Sequence, residues 1–405
     1  MTIRGGENMV TARIDVKPEI LQWVQNNTGT VLNDTWIKKI NKWLNNDGKP
    51  TVNQLKELSR KAQIPFGYFF LDNVPNEDLP LLKFRTVNNV DIDRPSRNLI
   101  DVIHSMEIKQ NWVSDYRKQN DYPTSIFSNG YKLIENLDCM NEEQIAEKIM
   151  SSLDLKLGWN TELKNRKSFN LLRSKLDQVG VVVMYSGIVG SNTHRALSQS
   201  EFRAFALDDK YAPLIFINSN DSYNAMLFSL VHELTHIWYG TSELYNDDFK
   251  NNYQVLNPKS EQDINHISES IIFPKSLFLD RWKRQEVTGI DRIKSVAKYF
   301  DASPLSTGIR AYRLRLISQD DVKRLKTELN QEYQRNKRHQ KEIGGGNYYA
   351  TKAAQTDSAF AMEVERGVNS GNLGFNSAFE LLGVKNSTTF DRLLNTIREK
   401  GLDIE

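Results

Sequence analysis

The 405-residue sequence has little cysteine, little histidine, no long apolar run and almost no net charge. Its single cysteine, Cys139, has no partner for an internal disulfide or a cysteine-rich zinc site, which is typical of a reducing compartment. No apolar run reaches the roughly 20 residues that a membrane-spanning helix requires, and the N-terminus lacks a signal-peptide pattern. These absences predict a cytoplasmic protein without membrane contact.

The near balance of charges limits the choice of partners. A formal net charge of +2 gives no global attraction to nucleic acid, so any DNA contact would have to be local. With 39% hydrophobic and 26% charged residues, the composition is that of a soluble globular protein. The length exceeds that of one compact core, and we expect about two to four domains.

The most specific pattern in the chain is an HExxH motif, which runs from His232 to His236. Two histidines four residues apart on a helix lie on the same face, so both imidazoles can bind one metal ion, and Glu233 would stand beside it. Apolar residues around the motif repeat at helical spacing, which predicts the helix itself. Since the chain has only six histidines, chance would produce the motif with a probability on the order of half a percent.

A zinc ion also needs a third protein ligand, for which Glu261 is the candidate. A gluzincin-type protease supplies a glutamate from a second helix downstream of HExxH, and Glu261 opens a helical run that ends at Pro274. Asn265, one turn later, is placed to accept a hydrogen bond from a ligand histidine. His266 and Glu269 are alternative ligands on another face of this helix. Two histidines and one carboxylate predict one Zn²⁺, although such a site also accepts Mn²⁺.

Residues 1–80 are predicted to form a helical region with a partial helix-turn-helix pattern. The run 43–55 resembles the end of an XRE-type helix-turn-helix domain, where a tryptophan and a Pro-Thr turn precede the last core helix. Residues 31–42 would then be the recognition helix and would offer Asn33, Thr35, Lys38 and Lys39 to DNA. We favour a degenerate bundle used for packing or partner contact, with direct DNA binding as the alternative.

The rest of the chain divides into four further regions. Residues 81–160 predict a helical connector, and residues 161–318 predict a mixed zinc peptidase core that ends in a helix-turn-helix-like segment. Residues 319–346 are charged, end in three glycines and predict a solvated helix or linker, with a phosphate-contacting arm as the alternative. Residues 347–405 predict a small helical module.

Three strands are predicted before the HExxH helix, which indicates a small mixed sheet over the two zinc helices. The expected fold class is mainly α, with an α+β gluzincin-like core flanked by helical modules. The strand at 202–207 is the candidate free edge, at which a peptide could add by backbone hydrogen bonding. Candidate residues of the substrate cleft are His194, Arg203, Phe205 and Tyr239, the last also as a candidate oxyanion partner.

Together these segments resemble the ImmA/IrrE family of zinc metallopeptidases. The segments that match the family in order and spacing are 202–205, 212–218, 228–237, 261–274 and 303–314. Residues 50–51, 65–70 and 344–382 look like the flanks of its longer, XRE-linked members. The resemblance implies zinc held by His232, His236 and Glu261, with Glu233 as general base. The sequence departs from the family at 266–270, where members commonly have small apolar residues.

The resemblance also implies a function, because studied members of the family cleave helix-turn-helix repressors. We therefore predict an intracellular zinc endopeptidase whose substrate is a regulatory protein such as an XRE-type repressor. Two alternatives remain from the residues alone. One is a non-proteolytic regulator that binds a repressor or DNA, and the other is an interaction module of a toxin–antitoxin pair.

Overall fold

The computed structural model describes residues 12–29, 32–75, 95–128, 130–133, 139–161, 163, 167–240, 244–245, 261–339 and 348–402. The chain divides into two compact units, of which the first comprises Met1–Pro80 and Ile92–Asp101 and the second comprises Leu81–Asp91 and Val102–Glu405. In the part of the chain that is described, no helix combines the length and the apolar character needed to cross a membrane.

The first unit is built on three short helices. These are α1 (Pro18–Asn26), α2 (Asp34–Leu44) and α3 (Val52–Ala62), followed by a 3₁₀ turn at Phe66–Phe70. Local signals set the helix ends, since the Asn33 side chain caps α2 and Thr51 forms a reciprocal capping box with Gln54 at the start of α3.

The predicted recognition helix corresponds to α2. Its buried face carries Trp36, Ile40 and Trp43, whereas Thr35 and Lys38 are exposed. Residue 31 lies outside the described residues, and the role of this helix in DNA contact stays a prediction.

The second unit carries the sheet and the remaining helices, apart from the residues of α4 up to Asp101, which are counted with the first unit. In chain order its elements are α4 (Arg97–Gln119), α5 (Glu142–Ser152), α6 (Lys167–Gln178), β1 (Val182–Ser186), β2 (Ile188–Val189), β3 (Asn192–Ala196), β4 (Ala204–Leu207), β5 (Leu214–Asn218), α7 (Tyr223–Trp238), β6 (Leu244–Tyr245), α8 (Glu261–Ile272), α9 (Lys275–Lys283), α10 (Gly289–Tyr299), α11 (Pro304–Arg313), α12 (Gln319–His339), α13 (Tyr348–Gln355), α14 (Ser358–Asn369), α15 (Phe375–Leu382) and α16 (Ser387–Leu402).

The main sheet is mixed, and its strand order is β1-β5-β4-β6. Strand β1 runs parallel to β5, whereas β4 runs antiparallel to both β5 and β6. Strands β2 and β3 form a separate antiparallel hairpin. Because Ala204 and Phe205 pair with β5 on one side and β6 on the other, the prediction of a free edge at 202–207 is wrong. All four residues of β4 are buried, as expected of an interior strand.

One face of this sheet packs against α7. Side chains alternate along β4, so Ala204 and Ala206 lie in the same apolar core as Leu230 and Leu234 of α7. Alanine side chains are short, and they let the helix lie close to the sheet. The core then continues through α8, whose Ile267 is fully buried in it.

Helix α12 belongs to this core, whereas the sequence predicts a solvated helix or a linker within 319–346. Its Leu325 is fully buried in the same cluster, although most of the helix is charged. A Cβ atom at Gly308 would lie 2.5 Å from a Leu325 methyl group, so glycine at that position makes room for the leucine. Lys294 of α10 also pairs with Glu328 and Glu332 of α12 at 2.8 and 2.6 Å. The three glycines at 344–346 lie outside the described residues.

The C-terminal helices cover the outer edge of β1. The Asp357 carboxylate accepts a hydrogen bond from the backbone N–H of Val183 at 2.9 Å and also caps α14 by accepting one from Phe360 N–H. A buried ion pair joins Arg117 of α4 to Glu363 of α14 at 2.9 Å. The predicted fold class, mainly α with a small mixed sheet in an α+β core flanked by helices, is confirmed.

The core position of Leu325 gives a stability prediction. Leu325→Ala should lower the free energy of unfolding by about 2–5 kcal/mol, because it removes a buried side chain and leaves a cavity. The matched control is Asn330→Ala, at an exposed position of the same helix, which should change it by less than about 0.5 kcal/mol. Urea denaturation measures both values. Equal effects of the two substitutions would mean that α12 is not packed on the core.

Candidate metal centre

The HExxH motif lies on α7 as predicted, in the most buried helix of the site. The Ser222 side chain caps the helix by accepting a hydrogen bond from Ala225 N–H, and the segment from Leu230 to Trp238 is buried throughout. His232 and His236 are 1% and 2% exposed, and Glu233 is fully buried. The motif therefore sits inside the core instead of on an exposed helix face.

Three candidate ligand atoms converge at this point. The Nε2 atoms of His232 and His236 are 3.0 Å apart. The Glu261 carboxylate oxygens lie 3.5 Å from His232 Nε2 and 3.1 Å from His236 Nε2. Ligands bound tetrahedrally to zinc at 2.0–2.1 Å are about 3.3 Å from one another, so the three side chains already have the spacing of a zinc site.

Glu261 reaches the histidines because α8 packs directly on α7. Ile264, Ile267 and Ile271 form the buried stripe of α8, as the sequence predicts. At the contact the hydroxyls of Thr235 and Ser268 lie 3.2 Å apart, and both residues are fully buried. The Glu261 side chain remains 38% exposed, so the cluster is open to solvent on the Glu261 side.

The environment of His232 keeps its imidazole neutral. Its pKa is lowered to about 3, chiefly by burial and also by the nearby His236, while Glu261 and a side-chain hydrogen bond with Asn265 act in the opposite direction. Neutral imidazole is the form that binds a metal ion. The predicted neighbour Asn265 therefore lies beside a candidate ligand.

The two alternative ligands of α8 have other partners. Glu269 is buried and forms an ion pair with Arg313 at 2.8 Å. Burial raises the pKa of Glu269 to about 7, although Arg313 and Arg310 lower it. His266 lies with Glu142 and Asp263 in a separate cluster. Of the candidate carboxylates, only Glu261 joins the two histidines among the described residues.

The four predicted cleft residues occupy different places, and the structure does not bring them together. His194 is exposed on β3 of the separate hairpin, and Arg203 forms an ion pair with Asp221. Phe205 is fully buried and stacks on Phe216, with ring centroids 5.2 Å apart. Strand alternation points it to the sheet face opposite α7, so its assignment to an open cleft is wrong.

Tyr239 is also buried, at the end of α7. Its ring stacks on Tyr131 at 5.6 Å between centroids. Burial raises the pKa of the phenol, and the charges of Asp263 and Glu142 raise it further. The hydroxyl is therefore under the influence of those two carboxylates, which does not favour its assignment as an oxyanion partner at the histidines.

The residues that contact α8 from distant segments of the chain were not predicted from the sequence. Glu142 and Arg313 approach α8 from helices far away along the chain, and neither stands in a recognisable motif. Asp263 and His266 do have a signal, because residues three apart on a helix share a face.

The fold and the three-ligand cluster describe an α+β domain with a candidate metal centre. Residues 176–312, about a third of the chain, match the peptidase family model described as the IrrE N-terminal-like domain. The matched segment contains α7 and α8 with all three candidate ligands. It supports membership of the ImmA/IrrE group and a metallopeptidase-like function. No curated protein and no solved structure gave a match to the chain.

The ion pair behind α8 leads to a pH-dependent prediction. Arg313→Met should destabilise the protein by about 3–5 kcal/mol at pH 8, because it leaves the buried Glu269 carboxylate uncompensated. The folded-state pKa of Glu269 lies above its ordinary value of 4.5, and loss of Arg313 raises it further. The Glu269 carboxyl group of the variant therefore binds its proton more tightly in the folded state than in the unfolded chain. The stability loss should consequently be smaller at pH 5 than at pH 8.

The matched control is Arg284→Met, which removes an exposed ion pair with Asp280. It should cost less than about 1 kcal/mol at either pH. Urea denaturation at pH 5 and pH 8 measures both variants. Equal losses for Arg313→Met at the two pH values would contradict the assigned role of Glu269.

Proposed function

We propose that this chain is a zinc-dependent endopeptidase in which His232, His236 and Glu261 hold the metal ion. The observation that carries the proposal is the convergence of three ligand atoms within 4.8 Å of one another. Two buried imidazoles and one partly exposed carboxylate match the donor set of a catalytic zinc site, which leaves a coordination position open. A purely structural zinc site usually has four protein ligands.

The donor chemistry fits zinc better than calcium or magnesium. Imidazole nitrogen suits zinc and related transition metals, whereas Ca²⁺ and Mg²⁺ prefer oxygen ligands. When bound, zinc would supply Lewis acidity and would lower the pKa of a water molecule toward neutrality. Mn²⁺ is the alternative ion for this donor set.

The remaining chemistry belongs to side chains of α7 and α8. The Glu233 carboxylate would accept a proton from the attacking water and return it to the leaving amine. Glu233 directly follows His232 on α7 and is fully buried, which supports this role because its carboxylate would be held in place beside the ion. Asn265 would orient the His232 ring through its side-chain hydrogen bond.

A helix-turn-helix repressor of the XRE type is our proposed substrate. This part of the proposal rests on the resemblance to the ImmA/IrrE family, whose studied members cleave such repressors, together with the family match at 176–312. The position of Glu261 supports access for a large substrate, since its side chain is 38% exposed at the mouth of the cluster.

Metal content tests the ligand set. Protein purified without added metal should carry about one tightly held zinc per chain, and His236→Ala and Glu261→Ala should each lose most of it. His194→Ala is the matched control, because His194 is exposed and belongs to the separate hairpin. Mass spectrometry of metal and protein gives the ratio. Unchanged zinc in Glu261→Ala would overturn the assignment of the third ligand.

Glu233→Gln separates metal binding from catalysis. The amide cannot accept the proton, so the variant should keep its zinc and lose at least about 100-fold in cleavage rate. Purified wild type and variant are each incubated with a panel of XRE-type repressors, and fragments are identified by intact-mass spectrometry. Metal loss equal to that of His236→Ala would contradict the proposed role of Glu233. Cleavage at the wild-type rate would contradict it as well.

A further inference from the structure

A second cluster of metal-binding side chains lies on the other side of α8. At about 100° per residue, Asp263 and His266 face away from Glu261 on this helix. Glu142, the first residue of α5, completes the cluster. Each of the three residues offers one ligand atom, and these atoms all lie within 4.8 Å of one another. All three side chains are half-buried, which restricts their movement.

A buried hydroxyl group lies within electrostatic range of the same cluster. Tyr239 is 3% exposed, and its Oη atom has no hydrogen-bond partner among the described residues. The carboxylates of Asp263 and Glu142 both act on this phenol electrostatically. Leaving a buried hydroxyl without a partner costs about 1–3 kcal/mol. A water molecule held by an ion in the cluster would provide the missing partner.

The positive charges near the cluster are already compensated by other carboxylates. Arg310 forms an ion pair with Glu143, and Arg313 forms one with Glu269 at 2.8 Å. Each of these arginines is thus paired with a carboxylate outside the cluster. Two carboxylates together with a neutral imidazole match the charge of a divalent cation.

We propose that Glu142, Asp263 and His266 form a second divalent-cation site, distinct from the His232–His236–Glu261 centre. The histidine makes it a site for Zn²⁺ or Mn²⁺ and not for Ca²⁺, which prefers oxygen ligands alone. Since the ligands come from α5 and α8, the ion would join these two helices. It would also fix the first turn of α8, from which Glu261 projects.

The helix dipoles alone offer a simpler explanation for the positions of the two acidic residues. Glu142 and Asp263 both lie in the first turn of a helix, where a negative charge is favourable without any ion. That account explains neither the imidazole of His266 nor the buried hydroxyl of Tyr239. The two accounts differ in one measurable property, which is whether the cluster binds a metal.

Zinc binding in the absence of the first centre tests the proposal. In the full chain with His232→Ala and His236→Ala, equilibrium dialysis against Zn²⁺ should leave about one ion per chain. Adding Asp263→Asn and His266→Ala should remove it, whereas adding His194→Ala should not. The same zinc content with and without the Asp263 and His266 changes would overturn the second site. Circular dichroism establishes that each variant is folded.

If the chain with His232→Ala and His236→Ala does not fold, a second measurement tests the site in the otherwise wild-type protein. In the otherwise wild-type chain, Asp263→Asn with His266→Ala should lower the zinc content after dialysis from about two ions to about one, and His236→Ala should lower it likewise. Zinc should also raise the Tm of the wild type by more than that of either variant. A content of about one ion in the wild type that only His236→Ala removes would leave the first centre standing and reject the second.

Discussion

The packing of α8 against α7 is the contact on which the candidate site depends. The two histidines come from one helix and the carboxylate from another, so their separations of 3.0 to 3.5 Å exist only while the helices lie side by side. Small hydroxyl side chains at Thr235 and Ser268 allow that close approach. Ala204 and Ala206 of β4 have the same effect on the opposite side of α7. The sheet, α7 and α8 thus form three layers, and the candidate ligands lie where α7 and α8 meet.

Burial of this contact gives the site its chemistry. The HExxH helix is surrounded by apolar side chains, and the desolvation of His232 holds its pKa far below its ordinary value. A buried, neutral imidazole binds a metal ion well and is not readily protonated. Buried polar groups also need compensation, which the ion pairs of Glu143 with Arg310 and Glu269 with Arg313 provide along α8. The outer helices α5 and α11 therefore contribute electrostatically as well as by packing.

The sequence predicted those features that depend on neighbours in the chain. Helical spacing was enough to place His232 and His236 on one face of α7 and Glu261 at the start of α8. Features that depend on distant segments were not predictable in the same way. Strand β4 is interior because β6, which follows α7, pairs with it. Nothing within residues 202–207 specifies that partner, although the unbroken burial of the strand agrees with it.

The same limit explains the two other corrections. Phe205 has the aromatic character of a cleft residue, but strand alternation turns it toward Phe216. Helix α12 is mostly charged, but Leu325 is fully buried in the core and Leu329 packs against it. The overall composition of a segment does not reveal a buried leucine within it. Residues from α5 that complete a cluster on α8 have no sequence signal at all, because their proximity exists only in the folded chain.

Anomalous diffraction at the zinc absorption edge, from crystals of the zinc-loaded protein, tests the central claim most directly. It locates each zinc ion without reference to activity or to an identified substrate. The account predicts a strong peak within about 2.0–2.2 Å of His232 Nε2, His236 Nε2 and a Glu261 oxygen. Zinc-loaded crystals with no peak at these three side chains would contradict it.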